Sequence, residues 1–462
     1  MYIAEIEIAD LRSFRGTQRV SLARSDGSYA GWTVFAGRNG AGKSTLLKAV
    51  ALSVVGPDAA RSLVGTFPAW VRQGAQVARV ATRLVSDRHL DQCWKSEAKP
   101  VEGTHPHVSA HIGSGIPAPD SFTARLRWER TQERASLLQT DAEPHTTDGP
   151  SIFAGPWDFS PIGWFVAGYG PYRRLGPTTS DVERLSADRK LARLVNLFNE
   201  SATLADAVDW LKSIHSRALE NKPGAAELRD AVLDLLRDGL LPDGSEVEGV
   251  DSDGLWIKRD GVSLPLDQVS DGYRTVAALV VDLARHLHAG YDRLRLEREG
   301  GKLYCPQPGV VLIDEVDAHM HVAWQQRIGF WLRAHFPAIQ FLVTTHSPFI
   351  CQAASDRGII RLSAPGEDRT MEHLHPDHFR AVVQGGADDA VMTELFGLDH
   401  AHSDSAEALR TELAALELKL LQDTADDADK ARYTQLQAQL PNDLGALAEH
   451  KVRVLHLRES TE

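Results

Sequence analysis

The stretch GRNGAGKST, residues 37–45, places glycines, a lysine and two hydroxyl side chains within one short segment. Glycine allows the backbone to turn sharply and to direct its N–H groups at phosphate oxygens without a side-chain collision. Lys43 would reach the β- and γ-phosphates of a nucleotide, and the hydroxyl of Ser44 would contact Mg²⁺. The segment therefore predicts a phosphate-binding loop.

The flanking sequence supplies the setting that such a loop requires. WTVFAG, Trp32–Gly37, is typical of a buried strand, and the apolar run LLKAVALSVV after Thr45 is typical of a helix. A helix that begins directly after the loop adds the favourable field of its N-terminus. A purely structural glycine turn is the alternative. The predicted nucleotide contacts are Gly37, Arg38, Asn39, Gly40, Ala41, Gly42, Lys43, Ser44 and Thr45.

A second apolar strand, far along the chain, ends in two acids. The segment GVVLIDEVDAHMH, residues 309–321, contains Asp314 and Glu315 directly after the run VVLI. A carboxylate at a strand end beside a phosphate loop can hold Mg²⁺, so Asp314 is the predicted metal ligand together with Ser44. Glu315 is placed to act as general base on an attacking water. A solvated acidic loop is the alternative for this pair taken alone.

A third apolar strand, in IQFLVTTHSPFI at 339–350, ends beside His346. A histidine here could hydrogen-bond the γ-phosphate or the attacking water. The alternative makes His346 and Ser347 part of a hydrolase, but neighbouring strand residues face opposite sides and no G-x-S-x-G segment is present. His319 and His321 could likewise bind a metal, although a loop pair without further ligands is more often structural.

The stretch QVSDGYRTVAAL, residues 268–279, interrupts the chain with polar residues before an apolar helix begins. Ser270 offers a hydroxyl and Gly272 lies among the first amides of that helix, a combination that suits a γ-phosphate. An ordinary turn and helix start is the alternative. A second phosphate-binding device is redundant within one site. We therefore expect two copies to pair head to tail, each completing the other's site with Ser270 and Gly272.

Composition limits the class of protein. The chain has 462 residues, of which 43% are hydrophobic and 24% charged, as in globular proteins. The sequence has no apolar run long enough to cross a bilayer, and its first residues do not resemble a signal peptide, which predicts a cytoplasmic protein without a membrane contact. The net charge of −13 does not exclude a local basic groove that contacts DNA or RNA.

In family order, the segments GRNGAGKST, VSDGYRT, VVLIDEVDAH and TTHSP resemble the Walker A, signature, Walker B with D-loop, and switch-histidine motifs of ABC-type ATPases. Within that class they look like the branch that includes SMC, RecF and OLD proteins. The resemblance implies an α/β P-loop ATPase head with a mixed sheet and a β-subdomain, which binds ATP and Mg²⁺ and hydrolyses ATP. The opening IEIADLRSFRG is similar to that branch's first strand, so Arg12 and Arg15 are weaker candidate nucleotide contacts.

Two segments fit this resemblance less well. The signature reads Ser-Asp-Gly-Tyr-Arg where transporters have Ser-Gly-Gly-Gln, and an aspartate beside a γ-phosphate is unfavourable unless its side chain points away. GYGPYRR, Gly168–Arg174, has glycines and a proline between aromatic residues, which is typical of a structural turn. The alternative makes Arg173 and Arg174 a sensor or a DNA-phosphate contact.

The spacing of the motifs suggests how the chain is organised. We expect an ATPase head over residues 1–362, with inserted loops at about 95–160 and a helical lobe at about 180–240 with helical patterns at Asp181–Ile214 and Ala225–Leu236. VEGVDSDGLWIKRDGVSLPL, residues 247–266, predicts a hairpin with its turn at Asp260 and Gly261. Residues 363–462 predict a mostly helical extension, whose two amphipathic helices either pack on the head or bind a partner.

The chain shows no sustained heptads, no CxxC hook and no nuclease constellation. It resembles the stand-alone ATPases of bacterial anti-phage systems, in particular PtuA of Septu systems and retron-linked relatives, in which an HNH nuclease is a separate chain. The resemblance implies a head-to-tail dimer or higher oligomer whose nucleotide state regulates such a nuclease. Two alternatives stay open: a RecF-like DNA-repair ATPase that acts on DNA directly, and a nucleotide-dependent scaffold without hydrolysis.

Overall fold

The computed structural model describes residues 1–67, 69–87, 89–93, 116–118, 120–131, 134–138, 142–145, 155–157, 163–176, 179–364, 366–367, 369–398, 400, 402–440, 450–454 and 458. The chain folds into two compact units, Met1–Ala390 and Val391–Glu462. All the predicted site residues belong to the first unit. Among the described residues, no helix is both long and apolar enough to cross a bilayer.

The strands are β1 (Tyr2–Ala9), β2 (Thr17–Ser21), β3 (Gly31–Ala36), β4 (Val77–Val85), β5 (Gln92–Cys93), β6 (Ile116–Pro117), β7 (Ser121–Thr131), β8 (Arg134–Leu138), β9 (Ala142–His145), β10 (Val166–Tyr169), β11 (Glu246–Val250), β12 (Leu255–Arg259), β13 (Val262–Pro265), β14 (Glu297–Glu299), β15 (Lys302–Tyr304), β16 (Gly309–Ile313), β17 (Ile339–Thr344), β18 (Ile359–Arg361) and β19 (Glu372–His373).

The helices are α1 (Lys43–Val55), α2 (Pro57–Val64), α3 (Ser180–Ser186), α4 (Arg189–Ala192), α5 (Val195–Phe198), α6 (Ala205–Leu219), α7 (Ala225–Arg237), α8 (Asp271–Tyr291), α9 (Val322–His335), α10 (Pro348–Cys351), α11 (Pro376–Gln384), α12 (Ala387–Val391), α13 (Asp404–Leu421) and α14 (Asp427–Gln439).

A central sheet with the strand order β10-β16-β17-β3-β18-β19 positions the predicted site. Its neighbouring strands are parallel, except that β18 and β19 are antiparallel. Every residue of β16 and β17 is buried, because both faces of a parallel sheet are covered. The carboxyl ends of β3, β16 and β17 therefore meet at one end of this sheet.

A second, antiparallel sheet has the order β2-β1-β4-β7-β8, and β9 also pairs with β7. In β4, buried residues alternate with residues that are partly or fully exposed, as in a sheet with one face on the core and one face toward water. Helix α1 packs against β4 and β7 of this sheet and against β10, β16 and β17 of the central sheet. The predicted α/β class, with a mixed sheet and a β-subdomain, is confirmed.

One buried side chain joins the two sheets directly. Gln340 in β17 is fully buried, and its amide oxygen accepts a hydrogen bond from the backbone N–H of Ile3 in β1 at 2.7 Å. Its amide nitrogen donates to the carbonyl oxygen of Ile3 at 2.8 Å. Because a buried amide is costly unless its donor and acceptor are satisfied, this pair fixes the position of β1 relative to β17.

The helical lobe is more interrupted than the sequence pattern predicted. The short helices α3, α4 and α5 divide the predicted helical stretch Asp181–Ile214 before α6 begins. Asp188 begins α4, since its carboxylate accepts from the backbone N–H groups of Lys190 and Leu191. The longer α6 and α7 pack against each other and against α8.

The predicted hairpin is confirmed. Arg259 of β12 pairs with Val262 of β13, and β11 extends the hairpin to a three-stranded sheet. The two turn residues, Asp260 and Gly261, have φ values of 50° and 81°, the left-handed conformation that a two-residue turn of this type requires at both positions.

The predicted loop region at about 95–160 lies largely outside the described residues. Within it, the structure places an eleven-residue strand, β7, which pairs with β4 over its length from Ser121 to Glu129. The inserted loops of this region stay a prediction. The strand is stabilised by its partner in a distant part of the chain, which no local pattern reveals.

The second compact unit contains the two predicted C-terminal helices, α13 and α14. Their contact is formed by Leu413, Leu416 and Leu436, and the guanidinium of Arg432 binds both carboxylate oxygens of Glu412 at 2.7 and 2.9 Å. Asp426 caps α14 by accepting from the backbone N–H of Asp429 at 2.7 Å. The division of the chain into a head over 1–362 and an extension stays a prediction.

Candidate nucleotide site

The loop between β3 and α1 is the predicted phosphate-binding loop. Arg38, Asn39 and Gly40 are exposed at its tip, and Gly40 and Gly42 have φ values of 82° and 95°. A Cβ atom at Gly42 would lie 2.4 Å from the hydroxyl oxygen of Ser13. Glycine is therefore required here both by the left-handed backbone and by the close neighbouring chain.

Lys43, the first residue of α1, is almost fully buried at 7% exposure. Its ammonium donates to the carbonyl oxygens of Gly37 at 2.8 Å and Arg38 at 3.4 Å. Burial lowers the pKa of Lys43, while the acidic side chains of Glu315, Asp314 and Asp317 act in the opposite direction. A charged amine held only by neutral carbonyls is well suited to bind the oxygens of a polyphosphate.

Asp314 is the centre of a hydrogen-bond network that joins three chain segments. Its Oδ1 accepts from the hydroxyl of Ser44 at 3.0 Å and from the hydroxyl of Thr344 at 2.6 Å. Its carboxylate is buried, with 2% exposure of the residue. The structure therefore brings together the two predicted metal ligands, Ser44 and Asp314, and adds Thr344, which the sequence analysis did not single out.

Glu315 begins a tight turn directly after Asp314. Its φ is 45°, and its carbonyl oxygen accepts from the backbone N–H of Ala318 at 2.9 Å. Its own N–H donates to the hydroxyl oxygen of Thr344 at 2.8 Å. The hydroxyl of Thr344 thus contacts both acids. It donates to the carboxylate of Asp314, and it accepts from the backbone N–H of Glu315.

The third predicted strand, β17, places His346 two residues after the strand ends. His346 is exposed, as a residue that contacts a bound nucleotide or a second chain has to be. Next to it, Thr345 donates to the carboxylate of Asp317, and its hydroxyl oxygen accepts from the N–H of Ser347 at 2.9 Å. The role of His346 stays a prediction.

The segment that carries Arg12 and Arg15 lies against the loop, because Ser13 and Phe14 surround Gly42. The guanidinium carbon of Arg12 lies 5.1 Å from the centre of the Trp70 ring, and the partial burial of this largely exposed residue lowers its pKa. Arg15 is exposed. The predicted contacts of Arg12 and Arg15 with the nucleotide stay a prediction.

The signature segment begins α8, with Ser270 as the residue before its first turn. Asp271 forms an exposed ion pair with Arg274 of the same helix, so its carboxylate has a partner within its own turn. A Cβ atom at Gly272 would lie 3.6 Å from the carbonyl oxygen of His319 and from the indole of Trp324. The segment therefore contacts the turn that follows β16.

The two loop histidines have different surroundings. His321 precedes α9, and its Nδ1 accepts from the N–H of Ala323 at 3.3 Å, which is a helix-capping role. His319 is exposed with a φ of 64°. Within the described ranges, no group of three or more His, Cys, Asp or Glu side chains is arranged to hold a metal. For His321, its capping contact with Ala323 favours the structural alternative.

The donor set at Ser44 and Asp314 fits Mg²⁺. This ion prefers hydroxyl, carboxylate and phosphate oxygens and usually takes one or two protein ligands beside a nucleotide. Ser44 and Asp314 offer one hydroxyl and one carboxylate at 3.0 Å from each other. In the hydrogen bonds given above, no sulfur atom or imidazole nitrogen contacts the side chain of either residue.

A family model described as AAA domain, putative AbiEii toxin, Type IV TA system matches residues 87–352, more than half of the chain. The Septu protein PtuA of Bacillus mycoides (strain KBAB4) is 24% identical over 371 residues, which cover 80% of this chain and 41% of that protein. The Retron Ec83 probable ATPase of Escherichia coli is 40% identical over 105 residues, 23% of this chain and 18% of that protein.

The chain thus spans less than half of the length of these two relatives. Among solved structures, an SmcHead bound to the C-winged helix domain of ScpA is 16% identical with a TM-score of 0.44, and the match covers 81% of this chain and 98% of that chain. The similarities to PtuA and to a retron ATPase confirm the resemblance that the motifs predicted, and the family model confirms an ATPase domain.

Replacing Lys43 with alanine tests the loop. We expect Lys43→Ala to weaken the binding of a fluorescent ATP analogue by about 100-fold or more, because the buried ammonium and its charge are lost. Lys48→Ala, in the same helix, is the matched control and should bind as the unsubstituted protein does. Equal affinity of both variants, measured by titration at constant Mg²⁺, would show that the nucleotide binds elsewhere.

Proposed function

The chain belongs to the AAA-domain family described as putative AbiEii toxins of type IV toxin–antitoxin systems, and from this membership and the site geometry we propose that it binds and hydrolyses ATP. The observation that carries the proposal is the network in which Ser44 and Thr344 both donate to Asp314. It joins the residue after the phosphate-binding lysine to the acidic strand end, the arrangement that a nucleotide with Mg²⁺ requires.

Each residue of the site has a distinct role in this proposal. Lys43 binds the β- and γ-phosphates, and the exposed loop tip offers backbone N–H groups to them. Ser44 and Asp314 would hold Mg²⁺, which when bound offsets the charge of the phosphate oxygens. Glu315 accepts a proton from the attacking water, and His346 hydrogen-bonds the γ-phosphate.

The assignment of Glu315 as base predicts a separation of binding from turnover. Glu315→Gln keeps the size of the side chain and removes the proton acceptor, so kcat for phosphate release should fall by about 100-fold or more while the dissociation constant of ATP stays within about threefold. Glu299→Gln, an equal change of charge on an exposed strand, is the control. A variant at Glu315 that hydrolyses ATP at the original rate would contradict the assignment.

We further propose that two copies pair head to tail, so that Ser270 and Gly272 of one copy complete the nucleotide site of the other. In the described structure, the side chain of Ser270 makes no capping bond to its own helix. Its hydroxyl and the first N–H groups of α8, a 21-residue helix, therefore form a group of donors at a helix N-terminus, which favours an anion.

A mixing experiment tests this pairing. Ser270→Glu places a negative charge opposite the γ-phosphate and should inactivate the protein, as Lys43→Ala does. In a head-to-tail dimer, a mixture of the two variants contains mixed pairs with one intact site. About half of the pairs are mixed, and each mixed pair has one intact site of its two. ATPase activity should therefore recover to about a quarter of the original rate. Each variant alone is the control, and a mixture as inactive as its components would exclude the shared site.

For the biological role, we propose that the protein acts in anti-phage defence and regulates a separate HNH nuclease through its nucleotide state. The similarity to a Septu protein PtuA and to a retron ATPase supports a defence role. Regulation of a nuclease is taken from the family resemblance alone.

Co-expression with the neighbouring open reading frame tests this role. We expect a stable complex whose mass, measured by light scattering, changes when ATP and Mg²⁺ are added. The Lys43→Ala protein should form a complex that does not respond to ATP. The proposal would be contradicted if the protein formed no complex with the neighbouring gene product. Dimerisation with ATP and salt-sensitive binding to DNA would then favour the DNA-repair alternative. An ATP-bound state without turnover would favour the scaffold.

A further inference from the structure

The segment GYGPYRR, Gly168–Arg174, follows β10 and ends beside the acidic turn. Arg173 is 1% exposed, and its guanidinium donates to four carbonyl oxygens. One nitrogen, Nη1, bonds Gly170 at 2.6 Å and Asp314 at 3.0 Å. The other, Nη2, bonds Glu315 at 2.9 Å and Val316 at 3.1 Å. Three consecutive carbonyl groups of the acidic turn are thus held by one side chain.

A buried guanidinium is unusual enough to require an explanation. Removing its charge from water is unfavourable unless hydrogen bonds compensate, and here its four acceptors are neutral carbonyls. Burial lowers the pKa of Arg173 to about 10, while Asp317, Asp314 and Glu315 act to raise it. The side chain therefore stays charged at neutral pH, and its planar fork fits several carbonyl groups at once.

The residue that this fork holds has a constrained backbone. Glu315 has a φ of 45°, a conformation that residues other than glycine seldom adopt and that is found where the surroundings enforce it. Thr344 fixes the N–H of Glu315 at 2.8 Å, and Arg173 fixes its carbonyl oxygen at 2.9 Å. The peptide groups on both sides of Glu315 are therefore each held by a side chain from another segment of the chain.

We propose that Arg173 is a positioning residue, which acts through Glu315 by holding the acidic turn in the conformation that aims this carboxylate at the attacking water. The inference rests on the proposed function of Glu315 as general base. Arg173 itself contacts only backbone atoms of the turn in the hydrogen bonds described, so it is not a catalytic residue.

The contacts of the neighbouring backbone hold Arg173 in place. The carbonyl oxygen of Arg173 accepts from the hydroxyl of Thr275 in α8 at 3.3 Å, and that of Arg174 accepts from the N–H of Leu204 at 2.8 Å. A Cβ atom at Gly170 would lie only 2.6 Å from the carbonyl oxygen of Asn196. The glycine is thus required by close packing, and the segment links the helical lobe and α8 to the acidic turn.

Arg173→Lys is the first test, because lysine keeps the charge but lacks the planar fork. We expect kcat for ATP hydrolysis to fall by about 10- to 100-fold and the dissociation constant of ATP to change by less than about threefold, since the phosphate loop is untouched. The matched control is Arg24→Lys. Arg24 is also buried and donates to the carbonyl oxygens of Ala30 at 2.6 Å and Asp356 at 2.8 Å, at the opposite end of β3 from the loop. The kcat of the Arg24→Lys protein should stay within about threefold of the original value.

A double substitution separates positioning from a general structural role. If Arg173 acts through Glu315, the Arg173→Lys/Glu315→Gln protein should be no slower than Glu315→Gln alone. The amides of residues 314–318 should also exchange hydrogen faster in Arg173→Lys, whereas the loop at 37–42 should not change. A double variant slower than Glu315→Gln by the full loss seen in Arg173→Lys would overturn the proposal.

The outcomes distinguish this inference from the function on which it rests. Original turnover in Glu315→Gln would overturn the base assignment, and the positioning role with it. A slow Glu315→Gln together with an unchanged Arg173→Lys would overturn the positioning role alone. If the lysine variant does not accumulate as folded protein, Arg173→Gln removes the buried charge and keeps N–H donors, and the same comparisons apply.

Discussion

The parallel register of β3, β17 and β16 is the constraint on which the site depends. Val343 pairs with Ile313 of β16 and Thr344 pairs with Phe35 of β3, so the three strands end at the same level. The phosphate loop, the acidic turn and the Thr344 hydroxyl therefore meet without a long connecting structure. A slip of one residue in any of these pairings would turn the side chains to the opposite face and separate Ser44 from Asp314.

Burial of α1 holds the other half of the site in place. Because this helix lies between the two sheets, Lys43 and Ser44 stand at the start of an element that packs on both sides. The Gln340 side chain adds a direct connection, since both of its polar atoms bond the backbone of Ile3. Such an arrangement holds α1 against both sheets, while Arg38, Asn39 and Gly40 at the loop tip are exposed.

The sequence was most informative where the chemistry is local. The glycines of the loop, the Asp260–Gly261 turn and the spacing of α13 and α14 each depend on neighbouring residues, and these predictions agree with the structure. Arg173 and Asp314 are 141 positions apart, and β7 is set by its distant partner β4. Such pairings depend on how layers pack, which periodicity does not report. Thr344 was not predicted for the same reason, because its role depends on hydrogen bonds between its hydroxyl and two residues of another segment, Asp314 and Glu315.

The acidic turn after β16 is the point at which otherwise separate parts of the first unit meet. Arg173 holds its carbonyl groups from the side of the helical lobe, and Thr344 holds its first N–H from β17. The start of α8 lies against the same turn, because Gly272 packs beside His319 and Tyr273 meets Trp324 edge to face at 5.4 Å. A shift of the helical lobe or of α8 would therefore be passed to Glu315 through these contacts. Since packed groups of this kind shift between discrete arrangements rather than deform smoothly, a second chain that binds α8 would act on Glu315, the proposed general base, through these contacts.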